Sequence, residues 1–445
     1  MGLKDFIVTP ILLILVYTLA YWMRGWVSDK KTRKYFIPAL SLKIIGANAL
    51  GLIYQYYYDG GDTFSYFDRG SKYIWEAFWD SPMKAVQLIF ANGEYNTNTF
   101  EYASEILHYT DLPSYFVVRI AGLFDILTFH TYSATASLFA ILSFSGIWAM
   151  FLVFYRMFPK MHLQLAIALF FIPSVFFWGS GLLKDSITLG AIGWATYAFV
   201  QIFIFRKNYI SSIMILIISC LSMYEIKIYI LLCFVPSLMI WYYHVNIGKI
   251  KNLVFKAMIL PFTIILLFAG GYYSIKMIGQ ENRRYNLEKL SYTAESTARW
   301  INYVSEREGG SGYTLGDFDY SIPGIIRKTP SAIWVTLFRP YMWEVKNLVM
   351  FFSALESLIL LLFSVYVLIN ILLQRKLKIL FDNPVVVFCL VFSITFAFAV
   401  GISTYNFGTL VRYKIPMMPF YVMGLFILLS YSKRSRKLLL LTSRE

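Results

Sequence analysis

The stretch Tyr56-Tyr57-Tyr58-Asp59-Gly60-Gly61-Asp62-Thr63-Phe64-Ser65-Tyr66-Phe67 follows an apolar run, about Tyr35 to Tyr57, long enough to cross a bilayer. Two carboxylates and two glycines stand where that run should leave the membrane. Glycine lets a backbone turn sharply and approach a ligand, and a carboxylate at such a corner acts as a base or holds a metal. The simpler reading is a membrane-exit turn among interfacial tyrosines. The choice depends on whether other charges reach the same side.

Runs of this kind recur and decide the fold class. The chain has 445 residues, 58% hydrophobic and only 15% charged, against about 25% charged in soluble domains. The runs do not alternate apolar with polar, which excludes a membrane barrel. We therefore expect an all-α, polytopic transmembrane helical bundle. Spans are expected at about 6–22, 35–57, 131–154, 163–178 (broken near Pro173), 186–205, 210–223, 228–243, 253–277, 349–373, 384–401 and 416–431. The sixth and seventh should form a tight hairpin around Glu225 and Lys227. That makes about eleven spans in a single domain, 1–445, with large loops at 57–130 and 278–348. The piece from Tyr115 to Phe129, with Arg119 and Asp125, suits a helix lying along the interface.

The net charge of +15 is carried in short basic loops, among them Lys30, Lys31, Arg33 and Lys34, which the positive-inside rule assigns to the cytoplasm. No nucleic-acid signature accompanies it. The first apolar run lacks a basic leader and a cleavage site, so it is expected to be retained, with the N-terminus outside and the C-terminus cytoplasmic. The cysteines (Cys220, Cys233, Cys389) lie inside apolar runs, and the four histidines have no ligand spacing. No structural metal site is expected.

Further charges fall on the side of Asp59 and Asp62. Lys184 and Asp185 follow Gly179-Ser180-Gly181 between two apolar runs, and Glu225 and Lys227 sit in the expected hairpin. Charges in such places are costly unless paired or used. A local ion pair is the simpler reading of each. Arg339, with Glu344 beside Pro340 and Trp343, offers a fork of donors suited to phosphate, or else an interfacial anchor. Arg412 and Tyr413, before Lys414 and Pro416, are read as a helix start with spare backbone N–H groups for an anion. Cations around carboxylates at the mouth of a helical membrane domain suit an anionic, lipid-linked substrate whose hydroxyl partner is activated by a base.

These motifs resemble a known group. The acidic first outer loop with its interfacial helices, and Pro173-Ser174 … Phe177-Trp178-Gly179-Ser180-Gly181 … Lys184-Asp185, are similar to GT-C-type membrane glycosyltransferases and to bacterial O-antigen polymerases. The likeness runs from about Leu40 to Pro419. It implies a GT-C-like bundle in a bacterial inner membrane, acting in cell-surface polysaccharide assembly. Asp62, with Asp59 as partner, would be the base, although Asp-Gly-Gly-Asp departs from the family's paired acids. Lys184, Lys227, Arg339 or Arg412 would meet the phosphate of a polyprenyl-linked saccharide donor, and a glycan or lipid-linked acceptor would take the sugar. No cofactor is assigned, and participation of a divalent cation stays open. Single-sugar transferase and repeat-unit polymerase both fit. The rival from another class is a transporter or flippase of lipid-linked glycans, which predicts ionisable residues deep in the spans and broken helices.

Overall fold

The structure is a computed structural model describing residues 2–247, 312–316, 322–374, 377–404 and 406–442, with scattered positions between 258 and 277. The described residues are helical throughout, with one isolated bridge, Gly312 to Asn406, and no sheet. Seven of their helices are long and apolar enough to cross a membrane, or eight if one bent pair counts as a span. About half of the span expected at 253–277 and most of the loop at 278–348 lie outside the described residues. The chain divides into two compact units, Met1–Lys227 and Ile228–Glu445.

The first unit begins with α1 (Asp5–Val27) and α2 (Arg33–Tyr56). At 1.5 Å per residue each is about 35 Å long, enough to cross the hydrocarbon core. The segment between α2 and the next span is not an open loop. It folds into α3 (Asp62–Tyr66), α4 (Lys72–Asp80), α5 (Pro82–Ile89), α6 (Phe100–Ala103) and α7 (Leu112–Thr128). A π-helical turn at Phe67–Ser71 joins α3 to α4. Tyr115 on α7 donates its hydroxyl to Leu88 O (2.6 Å), and Arg119 donates to Ala91 O. These bonds tie the chain leaving α5 to α7.

Next come α8 (Tyr132–Met157), α9 (His162–Phe170), α10 (Pro173–Trp178) and α11 (Lys184–Phe199). The span expected at 163–178 is two short helices. Pro173 has no N–H and pushes its predecessor out of helical geometry, so the helix stops and restarts at that point. Between α8 and α11 the backbones nearly touch: a Cβ on Gly146 would collide with the Gly190 carbonyl, and one on Gly193 with that of Gly146. Small residues at a crossing are how membrane helices maximise contact without a hydrophobic driving force.

Where a hairpin is expected around Glu225 and Lys227, α12 (Tyr209–Asn246) holds two helical stretches that meet at a kink at Lys227 (φ −148°, ψ 75°). Pro236 lies in its second half. The first unit ends at this break.

The second unit holds α13 (Ile322–Phe338), α14 (Leu348–Leu373), α15 (Ile379–Asp382), α16 (Pro384–Ser403), α17 (Phe407–Tyr413) and α18 (Met418–Thr442). The α13 helix occupies part of the expected loop 278–348. Gly401 on α16 admits the Ala332 carbonyl of α13, and Thr336 Oγ1 donates to Ala397 O (2.8 Å). Phe234, Phe388, Phe392, Phe420 and Trp241 stack edge and face into one aromatic column. The last two helices, α17 and α18, meet at a 66° bend.

Candidate functional site

Asp59-Gly60-Gly61 forms the turn that ends α2. All three residues have positive φ (51°, 115° and 118°), and Gly60 N donates to Tyr54 O at 2.8 Å. A side chain at Gly61 would meet the Tyr54 ring, so glycine is required there twice over. Asp59, exposed on the left-handed turn, is accounted for by that turn. Asp62 is exposed as the first residue of α3.

His108, between α6 and α7, collects the charges of this end of the first unit. Burial holds its imidazole below the usual value of 6.5, while Asp111 and Asp62 pull it up and Lys184 and Arg69 push it down. Leu107 N donates to Arg69 O at 2.9 Å, and Tyr66 lies against the His108 ring with centroids 5.2 Å apart. Asp62 and Lys184, which sequence reasoning placed on one side, thus both act on one imidazole. The histidine spacing alone, which carries only metal-ligand information, does not single out His108, and nothing in the sequence singles out Arg69. The remaining signal is that this histidine sits in the same inter-span segment as Asp62.

Lys184 is the first residue of α11 and only 9% exposed. Asp185 is reached from a distance along the chain: Lys227 Nζ lies 2.7 Å from Asp185 Oδ1. Lys227 thus has a partner outside the Glu225–Lys227 segment. Glu225 is half-buried on α12.

A charge that sequence reasoning missed lies in the middle of α2. Lys43 is 1% exposed, and its Nζ donates to Gly179 O (2.7 Å), Ser143 Oγ (3.1 Å) and Val175 O (3.3 Å). An ammonium has three N–H donors, and each has an acceptor. Two of them are carbonyls from the C-terminal end of α10, where helix carbonyls lack intrahelical partners. Ser143 Oγ adds a bond to Gly179 O at 2.6 Å. Lys43 therefore fastens the turn that leads from α10 to Lys184.

The second unit carries the remaining expected residues. Arg339 grips Glu344 with two donors, Nε to Oε2 at 3.1 Å and Nη2 to Oε1, and Tyr341 N donates to Glu344 Oε2 at 2.8 Å. Rings of Phe407, Tyr313 and Tyr341 surround the guanidinium at 5.1–5.6 Å. Arg412 and Tyr413 are not at a helix start: they close α17, whose N-terminal amides at Gly408 and Thr409 are taken by Asn406 Oδ1. Lys414 is buried and reaches Ser357 Oγ at 3.4 Å, beside the buried Glu356 of α14. Among the described residues no three His, Cys, Asp or Glu side chains form a metal-ligand group.

No family model, curated protein or solved structure matches the chain.

Proposed function

We propose that the protein is a GT-C-like membrane glycosyltransferase that moves sugar from a polyprenyl-phosphate or -pyrophosphate donor at the extracytoplasmic face of a bacterial inner membrane. The observation that supports this reading is that the charges of Asp62 and Lys184 both reach the imidazole of His108. An acceptor hydroxyl needs a base, and a carrier phosphate needs a cation as it leaves. Asp62 is assigned the base, with His108, whose imidazole burial holds below its usual value, able to receive or relay the proton. Lys184, buried at the first turn of α11, is assigned to the phosphate, and Lys227 is paired with Asp185. Asp59 is assigned to the turn.

The test is transfer from a radiolabelled polyprenyl-phosphate sugar by the purified chain in nanodiscs. Asp62→Asn should reduce the rate by about 10²–10⁴-fold, the usual worth of a general base, while Asp59→Asn keeps most of it. If Asp62→Asn, His108→Gln and Lys184→Ala, each confirmed folded, transfer sugar like the parent, the reading fails. Growth of a chain from lipid-linked repeat units would mark a polymerase, and addition of one sugar a transferase.

A second reading is favoured by one specific observation. Lys43 lies deep in a span and binds a broken helix, features expected of a flippase for lipid-linked glycans. Movement of a fluorescent polyprenyl-linked sugar between leaflets of proteoliposomes, without chemical change, would support transport over transfer.

A further inference from the structure

A cavity of about 460 Å³ opens in the second unit, lined by Thr314, Ser331, Trp334, Arg339 and Tyr341 among others. That volume falls within the range of small-molecule pockets. The sequence pointed to phosphate at Arg339, but the structure argues for a different ligand. Glu344 already neutralises the guanidinium through both carboxylate oxygens, in the planar two-bond geometry that arginine forms best. The nearby Lys328 ammonium is turned to Leu315 O at 2.6 Å. An anion seeking the two-bond edge of the guanidinium would have to displace a carboxylate held by three hydrogen bonds, counting the Tyr341 amide.

What the cavity does offer is flat rings and neutral hydrogen-bonding groups. Trp334 Nε1 donates to Tyr341 Oη at 2.6 Å, which fixes the indole and leaves the phenol hydrogen free to donate. Tyr341 stacks on Trp343 with centroids 4.7 Å apart. The hydroxyls of Thr314 and Ser331 lie in the lining. Arg339 uses two of its five N–H donors on Glu344, so the others can serve hydroxyl oxygens. Apolar ring faces with convergent, charge-balanced donors and acceptors match a sugar, whose ring carries C–H faces and a rim of hydroxyls.

We propose that this cavity is a binding subsite for an uncharged saccharide. The binding does not depend on the transfer reaction proposed above.

The experiment is saturation-transfer difference NMR on the full chain in a detergent without a sugar headgroup. The probes are chitobiose, cellobiose and maltose, with inorganic phosphate as competitor. At least one disaccharide should bind with a Kd of about 1–10 mM, equivalent to roughly 3–4 kcal/mol. Trp334→Ala should weaken it at least about tenfold, and Tyr341→Phe more mildly, so that one variant's failure to fold leaves the other informative. Equal phosphate should not displace the sugar from the parent, whereas in Glu344→Gln, with the guanidinium no longer neutralised, it should. A parent chain that binds the saccharide but transfers no sugar would count against the reaction alone. Absence of any saccharide signal, displacement by phosphate from the parent, or no phosphate effect in Glu344→Gln would each overturn the proposal.

Discussion

Lys227 Nζ lies 2.7 Å from Asp185 Oδ1, with side chains only 3% and 1% exposed. Lys227 is also the single non-helical residue inside α12, so the pair joins the break in one helix to the first turn of another. Removing one partner of a buried pair strands the other charge and costs about 3–5 kcal/mol, whereas removing both is far milder. Asp185→Asn and Lys227→Met should each sharply lower the unfolding temperature in detergent. The double variant should recover much of the loss. Additive single effects would show that the two side chains act separately.

Lys43 should behave differently, because its acceptors are neutral. Lys43→Met leaves the Val175 carbonyl without this donor, while Ser143 still serves Gly179. Stranded buried acceptors cost about 1–3 kcal/mol. The expected result is a moderate fall in unfolding temperature together with faster amide exchange in the turn from Gly179 to Leu183, read by hydrogen-exchange mass spectrometry. Exchange unchanged in that turn would remove Lys43 from the role of fastening it.

The helical class was legible because apolar length is a local property. Run after run declared itself without reference to any partner, and Leu348–Leu373 and Pro384–Ser403 fall within two residues of their expected ends. Partnership was not legible. Asp185 finds Lys227 across 42 residues, and the neighbouring Lys184 and Glu225 offered equally good matches by sequence. Lys43 escaped notice because one lysine hardly lowers the hydropathy of a long run, and carbonyl acceptors have no sequence signature. The α13 helix was read as loop because Arg327, Lys328 and Pro330 interrupt its apolar residues, yet packing on α16 through Gly401 holds it helical. Arg412 was put at a helix start because Pro416 follows it, but Asn406 caps a short helix that Arg412 helps to end.

The crossing of α8 and α11 leaves no room for a methyl group. Gly146→Ala would drive its Cβ into the Gly190 carbonyl, and backbone on both sides has to move. Overpacking typically costs about 1–3 kcal/mol, and here no flexible side chain can yield. Gly146→Ala and Gly193→Ala should therefore lower the unfolding temperature well beyond Gly2→Ala, where nothing lies within 4 Å. Thermal unfolding of the three variants side by side checks this. Equal stability would mean the helices separate readily.

His108 gives the fold a pH dependence of definite sign. Burial lowers its folded pKa below 6.5, so as pH falls the unfolded chain takes up that proton before the folded one does. The stability linked to this group is whole above about pH 6.5 and is lost as pH falls through the folded value. His108→Gln should flatten the decline that sets in below about pH 6.5 in denaturant melts. Asp68 slopes the other way: burial raises its carboxyl above 3.8, so its contribution is lost as pH rises through the folded value. The difference between parent and His108→Gln curves isolates the imidazole from that carboxyl. In a transfer assay the same variant should lose the acid limb that protonation of His108 imposes, which a histidine serving only to pack against Tyr66 would leave in place.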